Sequence, residues 1–540
     1  MKKYLLLITL LITLSCSKEK QHVDTIITNA HIYTVNANFE TAEAFAIKDG
    51  KFVEVGKNND IQSKFDADSI IDAKGQTIVP GLIDAHCHFY GLGLNQHRVD
   101  LVGTESFVEV VKRVTDFQNQ RQKAFIIGRG WDQNDWEEKE YPTKALLDQL
   151  YPHTPVALSR IDGHAMLCNQ AALDLANITV NTKVEGGEIL KEKGELTGVL
   201  IDNPMELVEA IYPKPTKEEK IAALLEAQTI CTNLGLTTVS DAGLGRPVIE
   251  LIDSLQQAKK LNIRVYAMIS NRPKNLDYFL SKGKIKTEKL NVQSVKVYAD
   301  GALGSRGATL KEEYSDKHDH YGAMVIGLEA YKNLAQRIEK AGYQMNTHAI
   351  GDSAVSYVLK TYEKTLEGKN DKRWRVEHAQ IITDNDFEYF KNDNIIPSIQ
   401  PTHATSDMYW AEERIGKDRI KGAYAYKALL EKSKKVALGT DFPVEQVSPF
   451  LTFYAAVSRQ DLKGFPEGGF NMDNALSREE TLKGMTIWAA YANFEEQEKG
   501  SIEAGKLADF IILDKDIMKI PVQDVPTIKV LETFIDGVAQ

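Results

Sequence analysis

The sequence has little cysteine, no excess of positive charge and no long apolar run after its first twenty residues. It contains 4 cysteines in 540 residues, and the three that follow Cys16 are too scattered for a disulfide framework. We expect Cys87, Cys168 and Cys231 to pack in the core. The net charge of −11 excludes the basic face that nucleic-acid binding requires. No later apolar stretch approaches the ~18 residues that span a bilayer.

The N-terminus forms a separate unit. Two lysines precede an apolar run over residues 4–14, which is too short to span a membrane, and Cys16 follows shortly after it. This pattern resembles a bacterial lipoprotein signal peptide over residues 1–15, with Cys16 as the lipidated first residue and residues 16–23 as a polar tether. We therefore expect an exported protein that Cys16 anchors to a membrane, in the periplasm or at the cell surface. An ordinary secretory signal that is cleaved nearby is the alternative.

The two ends of the remaining chain share a β-rich texture. The 43% apolar and 26% charged content is ordinary for a globular protein, and 540 residues exceed the usual single domain. Residues 24–75 carry short apolar runs around Asp49-Gly50, and residues 496–540 carry similar runs before Asp536-Gly537. Asp-Gly between such runs is typical of hairpins. We predict one small β-sandwich formed by both termini.

The long middle, residues 76–495, alternates apolar runs with helical stretches, which is typical of βαβ units and a parallel sheet. Eight parallel strands predict an α/β fold, a distorted TIM (β/α)8 barrel with its active site at the C-terminal strand ends. The interval at about 100–215 is too long for one crossover helix, so we predict an inserted subdomain between strands one and two. The predicted strands are Thr77–Ile83, Leu236–Ser240, Arg264–Ile269, Ser294–Tyr298, Tyr343–Asn346, Trp374–Glu377, Ile396–Gln400 and Val436–Leu438.

A histidine pair follows the first predicted strand. His86 and His88 are two residues apart, so on a strand they project from one face and can reach one cation. With 12 histidines in the chain, such a pair also arises by chance, and His318 and His320 in a polar loop have the same spacing. The pair therefore needs support from other residues.

Four more potential ligands fall at the ends of predicted strands, namely Lys296, His348, His378 and Asp441. Each alone has an ordinary structural explanation, but their conjunction at the converging strand ends indicates a metal site. Neutral imidazole and carboxylate suit zinc. A lysine ammonium has no lone pair for a metal, whereas its carbamate, formed with carbon dioxide, has two oxygens that can bridge two cations. Two cations ~3.5–4 Å apart can hold a hydroxide between them.

Together these residues resemble the amidohydrolase superfamily, specifically its amidohydrolase-3 branch, which includes N-substituted formamide deformylases. The similarity extends from about residue 24 to 540. Beyond the ligands, the motifs that carry it are Gly128-Arg129-Gly130-Trp131-Asp132, Asp162-Gly163-His164, Asp300-Gly301-Ala302-Leu303-Gly304-Ser305-Arg306, Ser398-Ile399-Gln400-Pro401 and the segment Gly500 to Asp509.

The resemblance implies a binuclear site. Its ligands would be divided between a more buried metal (His86, His88 and Asp441) and a more exposed one (His348 and His378), bridged by carboxylated Lys296. Two Zn²⁺ ions are expected, with manganese or iron, and a mononuclear site, as the alternatives. The implied reaction is hydrolysis of a C–N amide-type bond in a small molecule by a metal-bound hydroxide, with Asp441 accepting the proton and passing it to the leaving nitrogen.

Other residues are candidates for binding the substrate. Arg306 and His403 lie beyond strands four and seven, in loops that should rim the pocket. His164 and Trp131 lie in the insertion, which resembles a family lid over the barrel mouth. A solvated loop position is the alternative for His403, and packing inside the insertion's own core is the alternative for Trp131.

The sequence leaves two other functions open. The same site can hydrolyse an ester, a lactone or a phosphoester, as related barrels do. A surface lipoprotein that binds a ligand without turnover is the second alternative, against which the retained Asp441 argues. The sequence leaves the substrate and the oligomeric state open.

Overall fold

The computed structural model describes residues 20–368, 370–392 and 394–540. The predicted signal peptide and Cys16 lie outside these residues. The predicted tether is shorter than expected at its C-terminal end, because the strand Gln21–Thr28 begins within it. Among the described residues, no helix has both the length and the apolar character needed to cross a bilayer.

The centre of the molecule is a parallel barrel, as predicted, with eight strands in the described part of the chain. Each strand pairs in parallel with the next one along the chain. The first and last strands meet where the Asp441 N–H donates to the His86 carbonyl and the His88 N–H donates to the Phe442 carbonyl, both at 2.8 Å. Barrel strands 1 to 8 are Leu82–Cys87, Leu236–Leu244, Arg264–Ser270, Leu290–Tyr298, Gln344–Ala349, Trp374–His378, Ile395–Ile399 and Ala437–Leu438.

Helices connect the barrel strands and bury their apolar faces against them. The helix before strand 2, for example, begins with a capping box in which Thr216 and Glu219 satisfy each other's backbone N–H groups. The barrel helices are Phe89–Asn95, Lys217–Asn233, Arg246–Gln257, Pro273–Lys282, Leu328–Lys340, Asp352–Thr365, Pro401–Asp407, Ala411–Arg419, Tyr426–Ser433, Pro449–Ser458, Arg478–Gly484 and Ile487–Ala492.

The first predicted strand is in fact two strands in two sheets. Thr77–Pro80 pairs with sandwich strands, whereas Leu82–Cys87 opens the barrel. Gly81 joins them, and a Cβ there would lie 2.3 Å from the Thr237 hydroxyl oxygen, so only glycine fits this close passage. The single predicted strand was wrong at this point, because both halves are apolar and one run was predicted across the Pro80-Gly81 dipeptide between them.

Both chain ends build the sandwich. One sheet has the order Lys51–Gly56, Ala44–Lys48, Gln21–Thr28 and Phe65–Asp72. The helix Asn58–Lys64 connects the strands Lys51–Gly56 and Phe65–Asp72. The other has the order Val538–Ala539, Val530–Ile535, Phe510–Leu513, Thr77–Pro80, His31–Tyr33 and Thr41–Ala42. Aromatic rings fill the space between the sheets, and Phe510 stacks on Phe534 with centroids 4.3 Å apart.

A third sheet lies in the chain between barrel strands 1 and 2. It has the order Gly187–Glu192, Glu195–Asp202, Ala165–Cys168, Val156–Arg160, Ile126–Trp131 and Val99–Asp100. It carries the helices Phe107–Arg121, Ala145–Leu150, Gln170–Leu175 and Met205–Glu209. Its buried side chains form clusters of their own. We refer to residues 99–209 as the insertion.

Candidate metal centre

Asp441 faces two histidines from the first barrel strand end. Its Oδ1 lies 3.2 Å from Nε2 of His88 and 3.6 Å from Nε2 of His86. Strand 1 ends at Cys87, so His88 begins the following helix, yet its ring still reaches the same carboxylate. His86 is fully buried and His88 is partly exposed. These three side chains are close enough to hold one cation.

The other carboxylate oxygen of Asp441 faces a second group of possible metal ligands. Its Oδ2 lies 3.6 Å from Nε2 of His403, and the His403 ring stacks on His378 with centroids 5.7 Å apart. Asp441, His378 and His403 also lie close enough together to share a cation. His348 lies beside this group, with its ring centroid 4.5 Å from that of His378. Its Nε2 faces the Gly301 carbonyl at 3.3 Å.

Lys296 lies between these groups. Its Nζ is 3.0 Å from Nε2 of His86 and 4.8 Å from the centroid of the Tyr298 ring. Burial lowers the pKa of the Lys296 ammonium to about 8. A lysine with this pKa is neutral for part of the time near neutral pH.

Glu377 is a site residue to which the sequence assigned no role. Its fully buried carboxylate accepts a hydrogen bond from Nδ1 of His86 at 2.5 Å, and its other oxygen lies 2.8 Å from Nε of Arg375. Burial alone would raise the pKa of Glu377, but the charge of Arg375 and the hydrogen bond from His86 hold it at about 2. A carboxylate in this position fixes the tautomer of His86 and directs Nε2 towards the site. No sequence motif links His86 to Glu377, because the two residues lie far apart in the chain.

Two further buried carboxylates hold the strand ends in place. Asp84 accepts hydrogen bonds from the His86 N–H at 3.0 Å and from the Thr440 hydroxyl at 2.7 Å, which ties strand 1 to the end of strand 8. Asp300 accepts from the Gly351 N–H at 2.8 Å beyond strand 5. These bonds fix the backbone that carries the candidate ligands.

The donor set fits a divalent metal. Burial lowers the pKa of His86 to about 4 and the pKa values of His348 and His378 well below their ordinary range, so the imidazoles are neutral and offer lone pairs. Within the described part of the chain, Nδ1 of His378 and Nε2 of His403 are buried without a hydrogen-bond partner. Nitrogen and carboxylate donors in this arrangement suit Zn²⁺.

The second histidine pair is a chance pair. His318 is almost fully exposed and lies 3.2 Å from Glu313, while His320 donates from Nε2 to the Arg306 carbonyl at 2.8 Å. The two rings serve different partners in a loop. Sequence spacing alone therefore did not distinguish this pair from His86 and His88.

The predicted substrate-binding residues do not all lie at the candidate site, but His164 and His403 do. The His164 ring lies 5.0 Å from that of His348, and its Nδ1 is 2.7 Å from Oδ1 of Asp202, so the insertion reaches the barrel mouth. His403 faces Asp441, as described above. The solvated alternative is therefore wrong for His403.

Trp131 and Arg306 have other partners. Trp131 is 1% exposed and donates from its indole nitrogen to the Leu158 carbonyl at 2.7 Å, inside the insertion's core. The lid contact predicted for Trp131 is wrong, because its ring is buried among the apolar side chains of the insertion. The Arg306 guanidinium pairs with Asp316 at 2.9 Å. Asp316 also pairs with Arg414, so it does not neutralise Arg306 alone, and the substrate contact of Arg306 stays a prediction.

Comparison with known proteins gives the family. A model of the Amidohydrolase family matches residues 69–539. Protein LONG AFTER FAR-RED 3 of Arabidopsis thaliana is 34% identical over 535 residues, covering 95% of this chain and 91% of that protein. N-substituted formamide deformylase of Arthrobacter pascens is 27% identical, covering 95% of this chain and 98% of that protein.

A solved structure agrees with these matches. The crystal structure of an uncharacterized metal-dependent hydrolase from Pyrococcus horikoshii has a TM-score of 0.76 and 28% identity, covering 92% of this chain and 99% of that chain. The resemblance inferred from the motifs is thus confirmed over nearly the whole described chain. The chain belongs to the amidohydrolase family.

Proposed function

We propose that the protein hydrolyses a C–N amide-type bond in a small molecule at a divalent metal centre. The observation that carries this proposal is the position of Asp441. One of its oxygens lies 3.2 Å from Nε2 of His88 and the other 3.6 Å from Nε2 of His403. A carboxylate between two groups of nitrogen donors can help to hold cations and can also move a proton at the point where they meet.

We infer two adjacent ions. His86, His88 and Asp441 would hold one, and His348 and His378 would hold the other, following the family pattern. A bound divalent cation supplies Lewis acidity towards a carbonyl oxygen and lowers the pKa of water. Zn²⁺ is the ion that this donor set suits best.

Lys296 would join the two ions as a carbamate. Its amine is buried beside His86, and burial lowers its pKa to about 8. The neutral amine is the form that adds to carbon dioxide, and the resulting carbamate is negatively charged. An uncarboxylated ammonium in the same place would instead repel the cations.

Asp441 would act as the proton carrier of the reaction. It accepts the proton of the attacking water and passes it to the leaving nitrogen, because amide cleavage needs that nitrogen to depart as a neutral amine. His403, next to the same carboxylate, would contact the substrate. The Arthrobacter relative is named for acting on N-substituted formamides, which supports an amide-type bond here.

The test is a hydrolysis screen with the metal quantified. N-formyl, N-acyl and cyclic amides are compared with esters, lactones and phosphoesters, using the full chain and mass-spectrometric metal analysis. We expect metal-dependent amide hydrolysis, and a loss of about 10²–10⁴-fold per bound metal in Asp441→Asn. Asp418→Asn, which changes a 96% exposed carboxylate, is the matched control and should keep full activity.

Each other outcome has a definite meaning. Turnover of esters, lactones or phosphoesters without amides would show that the bond assignment is wrong. Bound metal with no turnover of any compound, equal in wild type and Asp441→Asn, would favour a ligand-binding protein instead.

A further inference from the structure

A histidine and an aspartate of the insertion form a hydrogen-bonded pair. Nδ1 of His164 lies 2.7 Å from Oδ1 of Asp202. His164 comes directly before the strand Ala165–Cys168, Asp202 ends the strand Glu195–Asp202, and these two strands pair with each other. The Asp202 N–H also donates to the His164 carbonyl at 3.0 Å. Both the backbone and the side chains therefore hold the two residues together.

The Asp202 carboxylate is enclosed where the insertion meets the barrel. Its side chain is 2% exposed. Within the described residues, the carboxylate makes one hydrogen bond, to His164, and its Oδ2 has no partner. An added Cβ at Gly301 or Gly307 would lie 2.4 Å from Oδ2, so only glycine at these positions leaves room for the carboxylate. Burying a carboxylate with an unpaired oxygen is unfavourable, which indicates a functional reason for its position.

Gly301 connects this pair to the metal centre. It packs against the Asp202 carboxylate, and its carbonyl faces Nε2 of His348 at 3.3 Å. The centroid of the His164 ring lies 5.0 Å from that of His348 and 6.3 Å from that of Tyr298. Within the described part of the chain, His164 belongs to neither group of side chains that are close enough to share a cation. His164 therefore lies beside the metal centre without being one of its candidate ligands.

The second nitrogen of the His164 ring is free to meet a ligand. Among the residues that the structure describes, the ring makes one hydrogen bond, through Nδ1, and Nε2 is neither paired nor fully buried. A carboxylate beside Nδ1 keeps a proton on that nitrogen and fixes the orientation of the ring. Nε2 is thus the atom of His164 that a small molecule at the metal centre can reach.

We propose that Asp202 is a positioning residue, which holds His164 so that Nε2 forms a hydrogen bond with the amide group of the substrate. This inference rests on the proposed function for the identity of that group. Asp202 acts through His164 and does not touch the substrate itself. The insertion thereby completes a site whose candidate metal ligands all come from the barrel.

A double-mutant cycle tests the positioning role. Asp202→Asn replaces one carboxylate oxygen by an NH2 group, which either meets Nδ1 of His164 or stays buried without a partner. Asparagine tolerates the left-handed backbone at this position, where φ is 56°. We expect kcat/KM for the best amide of the hydrolysis screen to fall about 10–100-fold in Asp202→Asn and at least as far in His164→Phe. In the His164→Phe background, Asp202→Asn should change kcat/KM by less than about twofold.

Nitrogen NMR measures the same contact without turnover. The sample is the full chain, loaded with Zn²⁺ and labelled with ¹⁵N-histidine, and the His164 signals are those that disappear in His164→Phe. We expect Nδ1 of His164 to carry a proton in the wild type, and the protonated fraction of Nδ1 to fall in Asp202→Asn. The wild-type spectrum and the kinetics of His164→Phe keep the test available if Asp202→Asn does not fold.

A matched control comes from the same insertion. Asp116→Asn alters a half-exposed carboxylate that pairs with Lys112 at 2.8 Å on the helix Phe107–Arg121. It should change neither kcat/KM nor the His164 signals.

The outcomes separate this inference from the proposed function. Equal losses from Asp202→Asn in both backgrounds, wild-type kinetics in His164→Phe, or an unprotonated Nδ1 in the wild type would each overturn the positioning role. An Nδ1 proton that depends on Asp202, in a protein that cleaves no amide, would keep the positioning of His164 and reject the hydrolysis. Amide cleavage at unchanged rates in His164→Phe would keep the hydrolysis and reject the inference.

Discussion

Nδ1 of His86 lies 2.5 Å from Oε2 of Glu377, and both side chains are completely buried. This contact leaves Nε2 of His86 as the lone-pair nitrogen, facing Lys296 at 3.0 Å. The metal centre therefore depends on a residue that contributes no ligand atom itself.

Glu377→Gln should weaken metal binding. An amide carries no charge and fixes the imidazole less firmly, so we expect affinity to fall about 10–100-fold. Competition with a chelator, followed by metal analysis, measures this. Glu226→Gln removes the same kind of contact from an exposed pair, 3.2 Å from His97, and should leave metal affinity unchanged. Equal metal retention by both variants would show that Glu377 does not orient a ligand.

Lys296→Met should change the metal stoichiometry. Without the carbamate, the bridge between the two ions is lost, and we expect bound metal to fall from about two ions per chain to about one. Metal analysis after dialysis gives the ratio. Lys193→Met alters a 90% exposed lysine and should keep both ions. Two ions in Lys296→Met would contradict the bridging role.

His403→Asn should separate substrate contact from metal binding. Because His403 faces the proton-carrying Asp441, we expect kcat to fall about 10²-fold while the metal content stays at the wild-type value. The measurement is kcat with metal analysis on the same sample, beside His348→Asn, which should lose one ion. Metal loss in His403→Asn and not in His348→Asn would make His403 the ligand.

Trp131→Ala should destabilise the protein by about 3–5 kcal/mol, since it empties a large buried volume in the insertion. Chemical denaturation of the insertion, followed by fluorescence, measures the free energy of unfolding. Val108→Ala, at a 73% exposed position of the insertion's helix, should change it by less than about 0.5 kcal/mol. Unchanged stability with an altered KM would restore the lid role of Trp131.

Cys16→Ser should release the protein from membranes, as we propose that Cys16 carries the lipid anchor of an exported protein. Metabolic labelling with a radioactive fatty acid and fractionation of cells measure the effect. Ser17→Ala should remain labelled and membrane-bound. A Cys16→Ser protein that still sediments with membranes would reject the anchor.

The sequence predicted much of the candidate site because barrel geometry is simple. Residues at the C-terminal ends of parallel strands converge, so Lys296, His348, His378 and Asp441 were expected near one another, and the structure brings them together. The barrel itself was predicted from the alternation of apolar runs and helical stretches, which is typical of βαβ units. The sequence did not predict that strand 1 begins after Gly81, because hydrophobic periodicity records burial and not the sheet in which a strand is buried.

The sequence by itself determined the fold class and which residue types stand at the strand ends, because both depend on local pattern and chain order. Only the tertiary structure decided their partners. It paired His86 with Glu377, placed His403 beside Asp441 and buried Trp131. These contacts join residues that lie far apart in the chain. They depend on how the side chains pack in the folded protein, which the spacing of residues in the sequence does not show.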